Sequence, residues 1–154
     1  ECLAPTKFQQ YEVSNYCLPG FESRHNSAYW DHTSYLGLGP AAHSFDGTSR
    51  QWNPANLKQY MENVADGRLC EEREALSPTD LYNETLLLAL RTREGLDLQS
   101  IRIRYGEERA QDIVNHFRER VPAGQYENTA GKLRLTAEGL WFADGIAENL
   151  FNVD

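Results

Sequence analysis

Ser77–Thr92 reads SPTDLYNETLLLALRT, and this stretch decides the fold. Ser77 is a helix cap, and Pro78 suits the first helical turn, where a missing N–H costs nothing. Asp80 is the acidic third residue that can answer the cap. The run from Leu86 to Leu90 is apolar without interruption. The pattern predicts an apolar helix that ends by Gly95.

The chain downstream is helical in pattern. Residues 97–106 (DLQSIRIRYG) predict a short helix closed by Gly106. Ala110, Ile113, Val114, Phe117 and Val121 recur at helical spacing and mark an amphipathic helix stopped at Pro122. GQYEN and KLRLT flank a turn at Gly131 and read as a small hairpin. TAEGLWFADGIAENLF then places Leu140, Ala143, Ile146, Ala147 and Leu150 on one helical face. Three helices, a hairpin and a closing helix make a winged-helix-like order. Such domains often grip DNA with the third helix. Here that helix carries acids and bases that nearly cancel, so packing or partner docking is expected of it.

Upstream, Phe8–Tyr16 reads as a strand, with Tyr11 and Val13 on one side and Gln10, Glu12 and Ser14 on the other. Pro19 and Gly20 break it, and RHNSAYW (Arg24–Trp30) follows as a loop. Ser34–Phe45, SYLGLGPAAHSF, is read as a buried strand in which Gly37 and Gly39 leave room for something close to the backbone. Asp46-Gly47 predicts a turn into a short returning strand. Asn53 and Pro54 are taken to open a helix bearing Leu57, Tyr60, Met61 and Val64, closed by Gly67. The charged RLCEEREA is read as a connector. The fold class expected is α+β, with one unit over residues 1–70 and a helical one over 71–154.

The chain has 154 residues and a net charge of −8, which disfavours a chain devoted to gripping phosphate backbones. No apolar run approaches the roughly 20 residues that span a membrane. Cys2, Cys17 and Cys70 are odd in number and widely spaced, which is expected of reduced thiols in a cytoplasm. The opening ECLAPTKF lacks an initiating Met and reads as the tail of a preceding element, hence as part of a longer protein.

Two stretches can carry chemistry. In RHNSAYW, the rings can simply seal a loop, with His25 and Asn26 satisfying backbone groups. The sharper reading is a broad, flat, apolar ligand with a metal centre: haem, held by aromatic faces and ligated by a neutral imidazole. In GLGPAAHSF, the glycines can mark a close crossing of another strand, or an approach by a nucleotide-like cofactor to Gly37, Gly39, Ala41 and Ala42, with His43 at the strand's end.

QYEVSNYCLPGFESRHNSAYW followed by YLGLGPAAHSF resembles the later part of the HemW-like haem chaperone family, which is related to oxygen-independent coproporphyrinogen III oxidase. His25, Asn26, Tyr29 and Trp30 match its HNxxYW motif, and Gly37, Gly39 and His43 match its glycine stretch. The resemblance runs more loosely to LRLTAEGLWFADGI. It implies a radical S-adenosylmethionine parent with a four-iron, four-sulfur cluster on a CxxxCxxC motif. It also implies that Phe8–Tyr16 and Tyr35–Phe45 are late strands of an incomplete (β/α) barrel. Haem would be bound by His25, Asn26, Tyr29 and Trp30, with His25 on the iron and with His32, His43 and Cys17 as alternative ligands. Ser14, Gly37, Gly39, Ala42 and His43 would contact cofactor. Imidazole and indole are expected to face one porphyrin-sized cleft.

The departure from the family pattern is that no CxxxCxxC stands in this chain. The chain alone is therefore expected to be catalytically inert, since the cluster supplies the electron. Implied partners are haem or porphyrin and haem-accepting apo-proteins, a membrane-associated recipient among them. Unpaired strand edges would allow a homodimer. The alternatives are a coproporphyrinogen III dehydrogenase and a winged-helix interaction module.

Overall fold

The structure is a computed structural model that describes residues 7–68 and 72–152. Cys2 and Cys70 lie outside the described residues. The order is β1 (Gln9–Gln10), β2 (Tyr16–Cys17), α1 (Arg24–Trp30), β3 (His43–Phe45), β4 (Ser49–Trp52), α2 (Leu57–Ala65) and β5 (Glu72–Ala75). It continues with α3 (Pro78–Leu90), β6 (Leu96–Asp97), α4 (Leu98–Tyr105), α5 (Glu107–Arg120), β7 (Tyr126–Thr129) and β8 (Lys132–Leu135). A 3-10 turn at Gly139–Phe142 leads into α6 (Ala143–Glu148).

The apolar core lies in the second half. Leu86 and Leu90 of α3, Ile101 of α4, Ala110, Ile113 and Phe117 of α5, and Leu133 of β8 are almost wholly excluded from solvent. Helix α3 starts as its sequence demands. The Ser77 hydroxyl accepts from the Asp80 N–H at 3.1 Å, and the Asp80 carboxylate takes the Ser77 N–H at 2.9 Å. This reciprocal cap satisfies two of the donors a helix start leaves open. Asp97 caps α4 through the N–H groups of Gln99 and Ser100, and its hydroxyl bond from Ser100 holds its carboxyl below the usual range. Gly106, with φ +96°, ends α4 and starts α5.

The hairpin β7–β8 forms at Ala130-Gly131, and β6 adds to its other edge, giving the antiparallel order β6-β8-β7. Gly95 lets β6 approach. It sits at φ +69°, and a Cβ there would lie 2.5 Å from the Leu133 carbonyl oxygen. The helix and hairpin expectations for this half are met except at its end, where the expected closing helix is a 3-10 turn followed by the six-residue α6.

The first half differs from its sequence reading. Phe8–Tyr16 is not one strand. Glu12 turns inward until it is 1% exposed, and its Oε1 accepts from the Ser14 N–H, the Ser14 hydroxyl and the Asn15 amide. That knot folds the segment into the two-residue pair β1–β2. Ser34–Phe45 is not one strand either. Only His43–Phe45 is extended in a ladder, Tyr35 makes an isolated bridge to Phe45, and Leu36 and Leu38 face solvent. Neither stretch shows a parallel barrel pairing among the described residues.

The Asp46-Gly47 turn and returning strand are present, with His43 opposite Trp52. Asp46 accepts the N–H groups of Thr48 and Ser49 and the Ser49 hydroxyl, which hold its carboxyl well below the usual carboxylate range. The anticipated connector is in part β5, the edge strand paired with β4. Helix α2 is capped by Asn56, three residues after the cap expected at Asn53. Leu57, Met61 and Val64 do form a stripe at helical spacing, but it faces outward, and Asn63 is the residue buried.

Two substitutions test where the stability sits. Leu86→Ala is expected to cost about 2–5 kcal/mol, a cavity in a core that cannot collapse. Met61→Ala is expected to change stability by no more than about 0.5 kcal/mol, because its side chain is exposed. Urea unfolding followed by far-UV circular dichroism measures both.

Candidate functional site

Helix α1 contains the residues singled out from the sequence. The Ser23 hydroxyl caps it by accepting from the Asn26 N–H at 3.2 Å. The stretch read as a loop is thus a seven-residue helix, and it buries none of its side chains fully. Helical geometry then sorts the motif by face, since residues five apart stand about 140° apart around the axis. His25 and Tyr29 share one face. Their rings meet edge to face at 5.1 Å, the Tyr29 hydroxyl lies 3.3 Å from His25 Nε2, and Tyr29 continues onto Tyr35 at 4.8 Å. Asn26 and Trp30 share another face. Asn26 donates to the Tyr11 hydroxyl at 3.3 Å, and the Arg91 guanidinium lies 5.4 Å from the Trp30 ring.

Trp30 faces a cleft of about 400 Å³ between α1, α3, β6 and α4. Tyr11, Trp30, Ala89, Leu96 and Ile101 supply its apolar lining, and His32, Thr85 and Arg104 are among its polar groups. The Trp30 Nε1–H is buried and has no acceptor. His25 does not line this cleft. The expectation that imidazole and indole face one cleft is corrected: the imidazole on the Trp30 side is His32.

His32 follows α1 in the left-handed region, with φ +58°. Its Nε2 lies 3.3 Å from Thr85 Oγ1, and its ring packs 5.9 Å from Phe45. Thr85 donates its proton to the Leu81 carbonyl at 2.7 Å. It therefore receives from His32, which places the ring proton on Nε2 and leaves Nδ1 as the basic nitrogen. Burial, then the charges of Arg104 and Arg50, push the imidazole below its usual pKa.

The glycine stretch is pinned by its own chain. A Cβ at Gly37 would lie 2.1 Å from the His43 carbonyl oxygen, so the close approach there is made by the backbone of His43. Asn53, 3% exposed, donates from Nδ2 to the Gly37 and Gly39 carbonyls at 3.2 and 3.0 Å. The Gly39 N–H donates to the Tyr60 hydroxyl at 3.1 Å. Gly39 itself, at φ +110°, has open space where a Cβ would stand. Ala42 is half-buried, and His43 is exposed with its ring 5.7 Å from that of Trp52. Ser14 lies apart, tied to Glu12 in the β1–β2 turn. No hydrogen bond joins Ser14 to residues 37–43 among the described residues.

Among the described residues no three His, Cys, Asp or Glu side chains converge as a metal site. The cysteines at 2, 17 and 70 do not fit a CxxxCxxC cluster motif. Cys17 is buried, and burial followed by the Glu22 charge pushes its thiol pKa up.

The fold and this arrangement define a class. Residues 76–142 match the HemN C-terminal domain family. Over 98% of the chain the fold matches a solved structure described as coproporphyrinogen III oxidase (HemN) from Escherichia coli, a radical SAM enzyme, with a TM-score of 0.70 at 19% identity, covering 38% of that chain. The chain is 36% identical over 150 residues to the heme chaperone HemW of Mycobacterium tuberculosis H37Rv, which is 96% of this chain and 36% of that protein. It is 28% identical over 131 residues to HemW of Bacillus subtilis, 84% of this chain and 35% of that one. It is 37% identical over 106 residues to the mitochondrial radical S-adenosyl methionine domain-containing protein 1 of Bos taurus, 63% of this chain and 24% of that protein. The chain is therefore HemW-like over nearly its whole length, and residues 76–142 match the HemN C-terminal domain. It spans about a third of the length of the relatives it matches.

His32 supplies the prediction here. A histidine whose folded pKa is depressed resists protonation, so its contribution to stability is present above its unfolded pKa and lost as pH falls below it. His32 is expected to titrate below 6.5, and Arg104→Gln, which removes a neighbouring cation, to move it upward. Imidazole carbon-proton NMR shifts against pH read both values.

Proposed function

We propose that this segment is the haem-handling part of a radical SAM haem chaperone, which binds haem and passes it to apo-proteins. The observation that carries the reading is the exposed His25 imidazole at the outer face of α1, beside the Tyr29 and Tyr35 rings. An accessible imidazole next to aromatic faces is what an exchangeable haem needs: one ligand to iron and a flat apolar surface, without a closed pocket to trap it. Asn26 and Trp30 hold α1 from the other side through Tyr11 and Arg91. S-adenosylmethionine would belong to the parent protein, with Ser14, Gly37, Gly39, Ala42 and His43 as candidate contacts in this chain. The open space at Gly39 supports such a contact, and the occupied space at Gly37 limits it.

The order α3, β6, α4, α5, β7, β8 supports a winged-helix-like reading of the second half. Its third helix, α5, has acidic residues at its start and Arg118 and Arg120 at its end, which complements the helix dipole more than it forms a basic face. A protein recipient, at a membrane or free, suits this surface better than nucleic acid. No helix among the described residues is long and apolar enough to cross a membrane. The free Cys17 thiol goes with a reducing, cytoplasmic setting.

The second reading is a coproporphyrinogen III oxidase or dehydrogenase, which the fold shared with the Escherichia coli enzyme favours. Carbon dioxide release from coproporphyrinogen by the full-length protein separates the two. For the leading reading, haem titrated into the 154-residue chain is expected to give a shifted Soret band. His25→Ala is expected to weaken that binding about tenfold or more, because iron loses its imidazole. A Soret band unchanged by the substitution removes His25 as the ligand.

A further inference from the structure

A groove of about 1410 Å³ runs between α5, the 3-10 turn that leads into α6, and the β1–β2 pair, and it shares no lining residue with the cleft behind Trp30. Its floor is apolar: Val121, Ala143 and Ile146 are buried, and Leu140 packs against the same core. Its lip is aromatic. Trp141 is 86% exposed, Phe142 55% and Tyr16 45%. The turn itself puts the first two there. A Cβ at Gly139 would collide with the Gln125 carbonyl oxygen, so the turn lies tight on the 122–125 loop. At three residues per turn, Leu140 then faces inward while Trp141 and Phe142 stand out. No ring or guanidinium stacks on either of them among the described residues.

Two charged side chains line this groove. Asp144 is already neutralised, its carboxylate taking Arg91 Nη1 at 2.8 Å. Arg120, in the last turn of α5, is exposed and enters no ion pair among the described residues. Its charge acts on the groove's imidazole: burial, then Arg120, pushes His116 below its usual pKa. Gln10, Gln125 and Asn149 add amides without charge.

These features select an occupant. The volume exceeds the roughly 300–1,000 Å³ of a small-molecule pocket. Three part-exposed rings offer on the order of 400 Å² of apolar surface, the size at which an exposed patch marks an interaction site. Trp and Tyr are also the residues on which binding energy concentrates in protein interfaces. The strands that border the groove are two residues long and give an extended peptide no edge to join, so a helix laid in the groove fits better. The unpaired guanidinium calls for a carboxylate. Glu138, Asp144 and Glu148 flank the aromatic pair in the chain, which disfavours an anionic lipid surface.

We propose that this groove is a docking site for an amphipathic helix of a partner protein, whose apolar face packs on Trp141, Phe142 and Tyr16 and whose carboxylate meets Arg120. Haem has no part in it.

The test uses two end-capped peptides of about 18 residues, about five helical turns. Both carry the same leucine stripe, flanked by Glu in one and by Lys in the other. The 154-residue chain is labelled with 5-fluorotryptophan, and Trp141→Phe assigns the Trp141 resonance among the three tryptophans. The Glu peptide is expected to shift the Trp141 resonance and to leave those of Trp30 and Trp52 in place. By calorimetry it is expected to bind about fivefold or more tightly than the Lys peptide. The net charge of −8 alone would favour the Lys peptide, so this order reports Arg120. Arg120→Glu is expected to reverse the order, and Trp141→Ala to weaken the Glu peptide about tenfold or more. Both side chains are exposed, and far-UV circular dichroism checks that each variant folds; Arg120→Gln and Trp141→Gln replace any that does not. Equal or tighter binding of the Lys peptide overturns the proposal, as does Glu-peptide binding indifferent to Arg120 and Trp141. The absence of a Trp141 response to either peptide also overturns it. In that case, a shift with phosphatidylcholine vesicles assigns the aromatic lip to lipid, and a shift on raising the chain's own concentration assigns it to a second copy.

Discussion

Helix α3 is a wall built on from both sides, and the rest of the molecule depends on it. Leu86 and Leu90 close the core of the second half. Thr85 and Ala89 line the cleft behind α1, Glu84 takes Arg50 of β4 at 2.7 Å, and Arg91 reaches both Trp30 and Asp144. Just past its end, residues 91–93 pair with 11–13: the Val13 N–H donates to the Arg91 carbonyl and the Arg93 N–H to that of Tyr11. From Leu81 to Leu90 no residue of α3 is exposed, so the helix can be built on from every side. The run of leucines in SPTDLYNETLLLALRT is the trace of that role.

The two halves are held by different forces. The second half excludes fifteen apolar side chains in one cluster. Among the described residues of the first half, those buried are Cys17, Phe45 and Pro54 and the polar Glu12, Ser44, Ser49, Asn53 and Asn63. Each of these polar groups must find partners, and most do so locally, as Asn53 does with the two glycine carbonyls. Polar anchoring specifies geometry sharply but adds little net free energy, since each bond replaces one to water. The Glu22–Arg93 pair at 3.0 Å and the Arg50–Glu84 pair join the halves where both partners keep some contact with solvent, and such pairs contribute modestly. The glycine-rich segment and α1 thus owe their positions to hydrogen bonds attached to a domain that owes its own to hydrophobic burial.

This division explains what the sequence disclosed. The caps at Ser77 and Gly106, the periodicity ending at Pro122 and the hairpin at Gly131 all express an apolar face or a turn chemistry, and those patterns are written locally. The first half carried no such pattern. Glu12 looked like the polar side of an alternating strand, although its burial rests on three donors that periodicity does not reveal. Leu57, Met61 and Val64 gave a correct helix, but the spacing did not say that this stripe faces outward, because exposure depends on what else packs there. The candidate site was legible as a cluster but not as a geometry. Reading RHNSAYW as a loop left its residues free to converge, whereas the helix sends His25 and Trp30 apart. His32 was visible only as an alternative ligand, and Arg104, one of two arginines on α4, carried no signal in the sequence.

The burial of Cys17 has a practical consequence. Its buried thiol, on β2 itself, is held protonated, so an alkylating reagent reaches it more readily when the short β1–β2 ladder lifts. With serine at positions 2 and 70, the rate of maleimide capture would become a clock for detachment of the N-terminal strands from the domain beneath. The molecule thus carries its own stopwatch for the motion that would expose its weakest seam.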